Sequence, residues 1–143
     1  MTVRVRRFAP RDGEAVAHLW RTCFPSDPAR NNPEDLIARK LARDPDLFWV
    51  ATDGMDVVGA AMGGYDGVRG WLYHVAVSPD RRHEGIGRAL VSRALAEFEA
   101  IGCPKVNLQV RASNRDVAAF YEALGFTLDE VASYGYLMPG SGG

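Results

Sequence analysis

The run Arg81-Arg82-His83-Glu84-Gly85-Ile86-Gly87-Arg88 places basic side chains around two glycines, directly before a stretch of helical apolar periodicity. A helix start leaves its first backbone N–H groups unpaired and carries the positive end of the helix dipole, so such a run suits an anion. Gly85 and Gly87 would let a phosphate approach the main chain, Arg81, Arg82 and Arg88 would add charge, and pyrophosphate is the natural ligand. The same two glycines would equally serve close helix packing or a turn. A dinucleotide fingerprint needs a third glycine where Leu90 stands, and a Walker loop needs a Gly-Lys-Ser or Gly-Lys-Thr that is absent, so both sites are disfavoured. Further along, Asn114 caps a helix carrying Val117, Phe120, Tyr121 and Leu124, with Gly125 just past its end. Taken alone, Tyr121 reads as a packed residue with a bonded hydroxyl.

These residues need elements to hold them. Val3 and Val5 alternate with Arg4 and Arg6, the pattern of a strand with one wet face. Asp12 is expected to cap a helix with Ala15, Val16, Leu19, Trp20 and Cys23 on its apolar side, ending near Phe24-Pro25. After a loop containing Pro25 and Pro28, Asn32-Pro33 marks the start of a second helix that runs to about Arg43. Segments 47–52 and 56–65 read as strands joined by a tight Asp53-Gly54 turn, and 71–77 reads as a central strand buried on both faces. Ile86, Leu90, Val91, Ala94, Leu95, Phe98 and Ile101 line a long helix that stops at Gly102 and Pro104. Val106, Leu108 and Val110 alternate in a further strand. Segment 128–138 has the β-branched and aromatic character of one or two short strands. This order predicts a mixed sheet covered by helices in one domain, residues 1–139, followed by a mobile tail, 140–143.

Composition narrows the function classes. The 143 residues are 47% hydrophobic and 24% charged with a formal net charge of -1, as expected of a folded domain with no basic field for nucleic acid. Cys23 and Cys103 have neither disulfide nor zinc spacing, so no metal is expected and reduced thiols in a cytoplasm are the simplest reading. No apolar run approaches the length of a membrane span.

Two spaced motifs carry a resemblance. Arg82-His83-Glu84-Gly85-Ile86-Gly87 matches the acetyl-CoA motif of the Gcn5-related N-acetyltransferase superfamily: Arg or Gln, two variable residues, Gly, one residue, then Gly or Ala. A second superfamily signature, an Asn followed seven residues later by Tyr and then Gly-Phe, is met by Asn114, Phe120-Tyr121-Glu122 and Gly125-Phe126. The resemblance covers nearly the whole chain, and segments 62–71 and 102–105 look like the YpeA-type bacterial branch. Segment 108–114 also resembles enzymes that acetylate the N-terminus of a ribosomal protein. Those enzymes carry Glu where this chain has Gln109, and an amide does not accept a proton as a carboxylate does.

The resemblance implies an α/β fold with a mostly antiparallel sheet, a splayed central strand and about four flanking helices. It further implies transfer of an acetyl group from acetyl-CoA to a primary amine by direct attack, with no covalent enzyme intermediate. Val75, Ala76 and Val77 would offer backbone groups to the cofactor arm and its thioester carbonyl. Residues Arg82, His83, Glu84, Gly85, Ile86, Gly87 and Arg88 would hold the pyrophosphate, and Asn114 would touch the cofactor. Tyr121 would be the general acid, with His74 and Glu84 as candidates to help deprotonate the amine. Apart from the resemblance, Trp20, Asp27, Tyr65 and Asp66 are candidates to line the acceptor pocket, since loops beside a central strand carry recognition. Neither cysteine is expected in the site. The expected partners are acetyl-CoA and a small-molecule or protein amine, with a homodimer left open. Two rivals are a silent acyl-CoA sensing domain and a non-enzymatic binding module.

Overall fold

The computed structural model describes residues 2–141. Five strands form one sheet in the order β1-β2-β3-β4-β5: Val3–Arg7, Phe48–Asp53, Asp56–Tyr65, Gly70–Val77 and Val106–Asn107. The first three pairings are antiparallel and β4–β5 is parallel. Helices α1 (Gly13–Cys23) and α2 (Pro33–Arg43) cover one face, packing on Phe48, Val50, Ala60, Met62 and Ala76. Helices α3 (Ile86–Ala100) and α4 (Arg115–Ala123) lie on the other, against Trp49, Ala51, Ala61 and Leu72. The period-2 alternation of β2 thus feeds two separate cores. No helix among the described residues is long and apolar enough to cross a membrane.

Local signals placed most ends. Asn32 accepts from the Asp35 N–H with Pro33 in the first turn, and Asn114 accepts from the Val117 N–H. Asp12 departs from expectation. A short 3₁₀ turn, Pro10–Asp12, precedes α1, and the Asp12 carboxylate turns back to the Ala9 N–H (2.8 Å) and the Arg6 guanidinium (2.7 and 2.9 Å). Burial alone would raise its pKa, but these donors hold it below the usual carboxylate value. The β2–β3 turn is one residue later than expected: Asp53 and Asp56 close it, and Gly54, at φ +61°, sits in the left-handed region.

Two strand expectations fail. Only Val106–Asn107 of the predicted 106–110 strand pairs with β4, and no strand forms within 128–138, where Leu128, Val131, Tyr134 and Tyr136 are exposed. Strand propensity is realised only against a partner edge, and a two-residue β5 offers almost none. Nor is β4 buried on both faces: Tyr73 is 46% exposed. Of the predicted mobile tail, residues 142–143 lie outside the described residues.

Candidate active site

Strand β4 pairs with β3 from Gly70 to Val77, but with β5 only at Gly70↔Val106 and Trp71↔Asn107. Beyond Trp71 the two strands part, leaving the β5 side of Leu72–Val77 without a ladder partner over about 17 Å. At the closed end, the buried Asn107 Oδ1 has no hydrogen-bond partner among the described residues. At the open end, an ideal Cβ on Gly87 would lie 3.2 Å from Phe120 and 3.6 Å from Val77, so β4, the start of α3 and α4 converge there.

The start of α3 leaves its first backbone donors uncapped. Gly85 is its N-cap at φ +83°, no side chain caps it, and its first backbone bond runs from the Ala89 N–H to the Gly85 carbonyl. The N–H groups of Ile86, Gly87 and Arg88 precede that bond and have no intrahelical acceptor. His83, at φ +65°, also bends the main chain here. The two glycines divide the work that sequence reading gave to both. Gly85 is favoured by its left-handed backbone and would have open space at its Cβ, whereas a Cβ on Gly87 would press on the Phe120 ring. Arg82 and Arg88 are exposed, but Arg81 is taken by Asp53 (3.0 Å) and Glu84 (3.0 Å). Arg81 therefore braces the loop instead of meeting a phosphate, and Glu84, held in the same pair, is poorly placed as a base.

Two consecutive β4 residues point to the same face because the strand bulges. Ala60 opposes Ala76 and Met62 opposes Tyr73, so one β3 residue faces both His74 and Val75. Val75 and Val77 pack with α3 and α4, and Ala76 packs with α1 and α2. His74 takes φ +50°, a strained value for a residue with a Cβ, and its carbonyl accepts from the Trp20 indole N–H at 3.0 Å. Its ring sits against Trp20 and Phe24, each at a centroid distance of 5.1 Å, and Nε2 meets Asp27 Oδ2 at 2.8 Å. A carboxylate requires a donor there, so in the neutral ring Nδ1 is the nitrogen left to accept a proton.

Tyr121 lies on the opposite face of β4, in the core shared with Val75 and Val77. Its ring meets Phe120 and Phe126 edge-on at 5.0 and 5.5 Å, and its hydroxyl finds no hydrogen-bond partner among the described residues. Burial pushes that hydroxyl up to about 12. His74 and Tyr121 thus flank the gap from its two sides.

The expected acceptor residues divide. Asp27 reaches the site, as the partner of His74. Trp20 is 1% exposed and belongs to the core, where it tethers the bulge. Asp66 accepts from the Val68 and Arg69 N–H groups of its own turn, and Tyr65, opposite Gly70, lies at the far end of β4 from His74. Asn114 is seen as a helix cap. Cys23, expected away from the site, donates weakly from its thiol to the Val77 carbonyl at 3.4 Å. Phe24 and Phe120 escaped notice as site residues because they act on His74 and Gly87, far away in sequence, and Asn107 because only the fold buries its Oδ1 without a partner. A hollow of about 430 Å³ between α1 and the β2–β3 turn is lined by neither His74, Tyr121 nor the Arg82–Arg88 segment.

The model of the acetyltransferase (GNAT) family matches residues 13–126. An acetyltransferase of Sodalis glossinidius is 46% identical over 128 residues, covering 90% of this chain and 89% of that protein. Among solved structures, Ard1 from Thermoplasma volcanium superposes with a TM-score of 0.81 at 27% identity, covering 90% of this chain and 85% of its own. A ribosomal-protein-alanine N-acetyltransferase from Escherichia coli gives 0.75 at 28% identity, covering 87% and 77%. With the parted strands, the uncapped glycine-led helix and these matches in agreement, the chain belongs to the GNAT acetyltransferase family.

Proposed function

We propose that the protein is an acetyl-CoA-dependent N-acetyltransferase that binds acetyl-CoA in the gap between β4 and β5. The observation that carries this reading is the unpaired β4 edge from Leu72 to Val77, ending at the N–H groups of Ile86, Gly87 and Arg88. An extended arm bearing amides fits a strand edge, and a pyrophosphate fits the helix start. The orphaned Asn107 Oδ1 supplies an acceptor at the closed end. When bound, acetyl-CoA supplies an acetyl thioester as electrophile and a thiolate as leaving group.

The residues then have separate tasks. Backbone N–H groups of the bulged segment Val75–Val77 stabilise charge developing on the thioester oxygen. His74 Nδ1, oriented through Asp27, takes the proton released as the amine nitrogen bonds to the acetyl carbon. Tyr121 donates a hydrogen bond to the sulfur as the carbon–sulfur bond breaks. A hydroxyl near 12 holds its proton against a thiolate whose acid has a pKa of about 8.5, so the help is that hydrogen bond and not proton loss. The E. coli relative is described as acting on a ribosomal-protein alanine. Here Gln109 replaces the expected carboxylate and donates to Ser133 Oγ at 2.7 Å, which argues for a different acceptor.

Calorimetry with acetyl-CoA, followed by single-turnover CoA release with a panel of amines, tests the reading. Tight binding with turnover supports it, binding without turnover favours a sensing domain, and absence of binding overturns it.

A further inference from the structure

The bulge has a consequence for what the enzyme acetylates. It puts the sequence neighbours Tyr73 and His74 on the same α1/α2 face, so that a cavity walled by Tyr73 lies next to His74, which is not itself among the lining residues. Against Tyr73, between α2 and the β3–β4 hairpin, lies an open cavity of about 280 Å³. Its walls are Leu36, Met62 and Tyr73, and its floor includes Gly64, at which an added Cβ would meet nothing within 4 Å. Its remaining side chains are cationic: Arg39, Lys40 and Arg43 line it, and no acidic residue does.

These cations differ in availability. Lys40 is nearly covered, donates to the Gly63 carbonyl and is 3.4 Å from Asp44, which lies outside the lining. Arg39 spends one donor on the Arg30 carbonyl, at 2.9 Å. Arg43 is exposed and makes no ion pair among the described residues. A small apolar chamber with guanidinium groups at its rim recognises a compact apolar body bearing an anion, since a guanidinium fork matches a carboxylate or phosphate. At this volume, just under the roughly 300–1,000 Å³ usual for ligand sites, it suits a small molecule.

We infer that this cavity holds the acceptor, and that the acceptor is a small amine with an apolar body and an anionic group that Arg43 and Arg39 bind while the amine faces His74. The inference rests on the acetyltransferase reading above. It excludes polyamines, whose second ammonium would meet the cationic rim.

The test uses acetyl-CoA-loaded protein and matched amines sharing one apolar body: apolar amino acids, their phosphonate analogues, their amides and the decarboxylated amines. The expected result is a kcat/KM at least about 10-fold higher for the anionic members, in line with hydrogen bonds to charged groups. Preference between carboxylate and phosphonate identifies the anion, and either supports the inference. An Arg39→Met, Arg43→Met protein should lose the discrimination and keep its affinity for acetyl-CoA. Gly64→Val, whose Cβ meets no neighbour within 4 Å and whose side chain takes up part of the cavity, should lower acetylation of the preferred amine and likewise keep that affinity. Equal rates across the panel, preference for its neutral members or for an added polyamine, or no accepted member by a protein that acetylates other amines overturns the inference alone. Acetyl-CoA binding with no amine accepted overturns the acetyltransferase reading beneath it. Failure to bind acetyl-CoA overturns the reading beneath it.

Discussion

Replacing Tyr121 by Phe separates what its ring does from what its hydroxyl does. The ring is held edge-on by Phe120 and Phe126, the residue is only 9% exposed, and the hydroxyl has no partner among the described residues. Phe keeps the packing and breaks no bond, so stability at pH 8 should change by less than about 0.5 kcal/mol. Alkaline pH distinguishes the two proteins. Burial holds the folded hydroxyl at about 12, against 10 in the unfolded chain, so the contribution is complete below pH 10 and is lost as pH rises toward 12. Between those values the unfolded chain releases a proton that the folded chain retains. The two-unit gap is worth about 2.7 kcal/mol in all, of which about 1.4 kcal/mol is lost by pH 11. Tyr121→Phe escapes that loss, and every other alkaline titration cancels between the proteins. Guanidinium unfolding at pH 8, 10 and 11 should therefore show the variant becoming the more stable by about 1 kcal/mol at pH 11. In single-turnover acetyl transfer at pH 8 it should be slower by roughly 10- to 100-fold with acetyl-CoA affinity nearly intact, the worth of one hydrogen bond to a developing thiolate. Parallel stability profiles would refute the burial argument. Equal transfer rates would leave Tyr121 a packing residue.

Other outcomes follow from the same geometry. Gly85→Ala forces a Cβ into the left-handed region and should cost about 1–2 kcal/mol by thermal unfolding, whereas Gly87→Ala should leave stability nearly unchanged and slow transfer by moving Phe120 and Tyr121; the reverse ranking would contradict the roles assigned to them. Asp27→Asn should weaken the transfer step while sparing acetyl-CoA affinity, and an unchanged pH–rate profile would remove His74 from base duty. Asp12→Ala should destabilise by roughly 1–3 kcal/mol at pH 7. Because the folded pKa of Asp12 is lowered, that difference should be present above about pH 4 and fade as pH falls further, which acid titration of both proteins checks. Cys23→Ala should retain transfer within about threefold, since direct attack needs no thiol nucleophile; a loss above about 100-fold would point to an acyl-cysteine route.

What the sequence determined by itself was local. Asn32-Pro33, Asn114, Gly85 and Gly102 fix where helices begin or end through their own dihedrals and side-chain caps, which act within a few residues. The same holds for the β2–β3 turn to within one residue, and for the uncapped, glycine-led start of α3. Tertiary structure decided which side chains meet. Asp27 lies 47 positions from His74 and Arg81 lies 28 from Asp53, separations at which no periodicity carries information. The parting of β4 from β5 after Trp71 depends on how long β5 stays paired, and alternation at Val106, Leu108 and Val110 predicted a longer strand than pairing allowed. The bulge that turns His74 beside Tyr73 exists only because β3 spends one residue where β4 spends two. Gly87 shows the limit in one residue. Its type announced a close approach, and only the packing of α4 on α3 revealed that the approaching group is the Phe120 ring, because contacts between elements are set by the whole core and not by the neighbours of a residue in sequence.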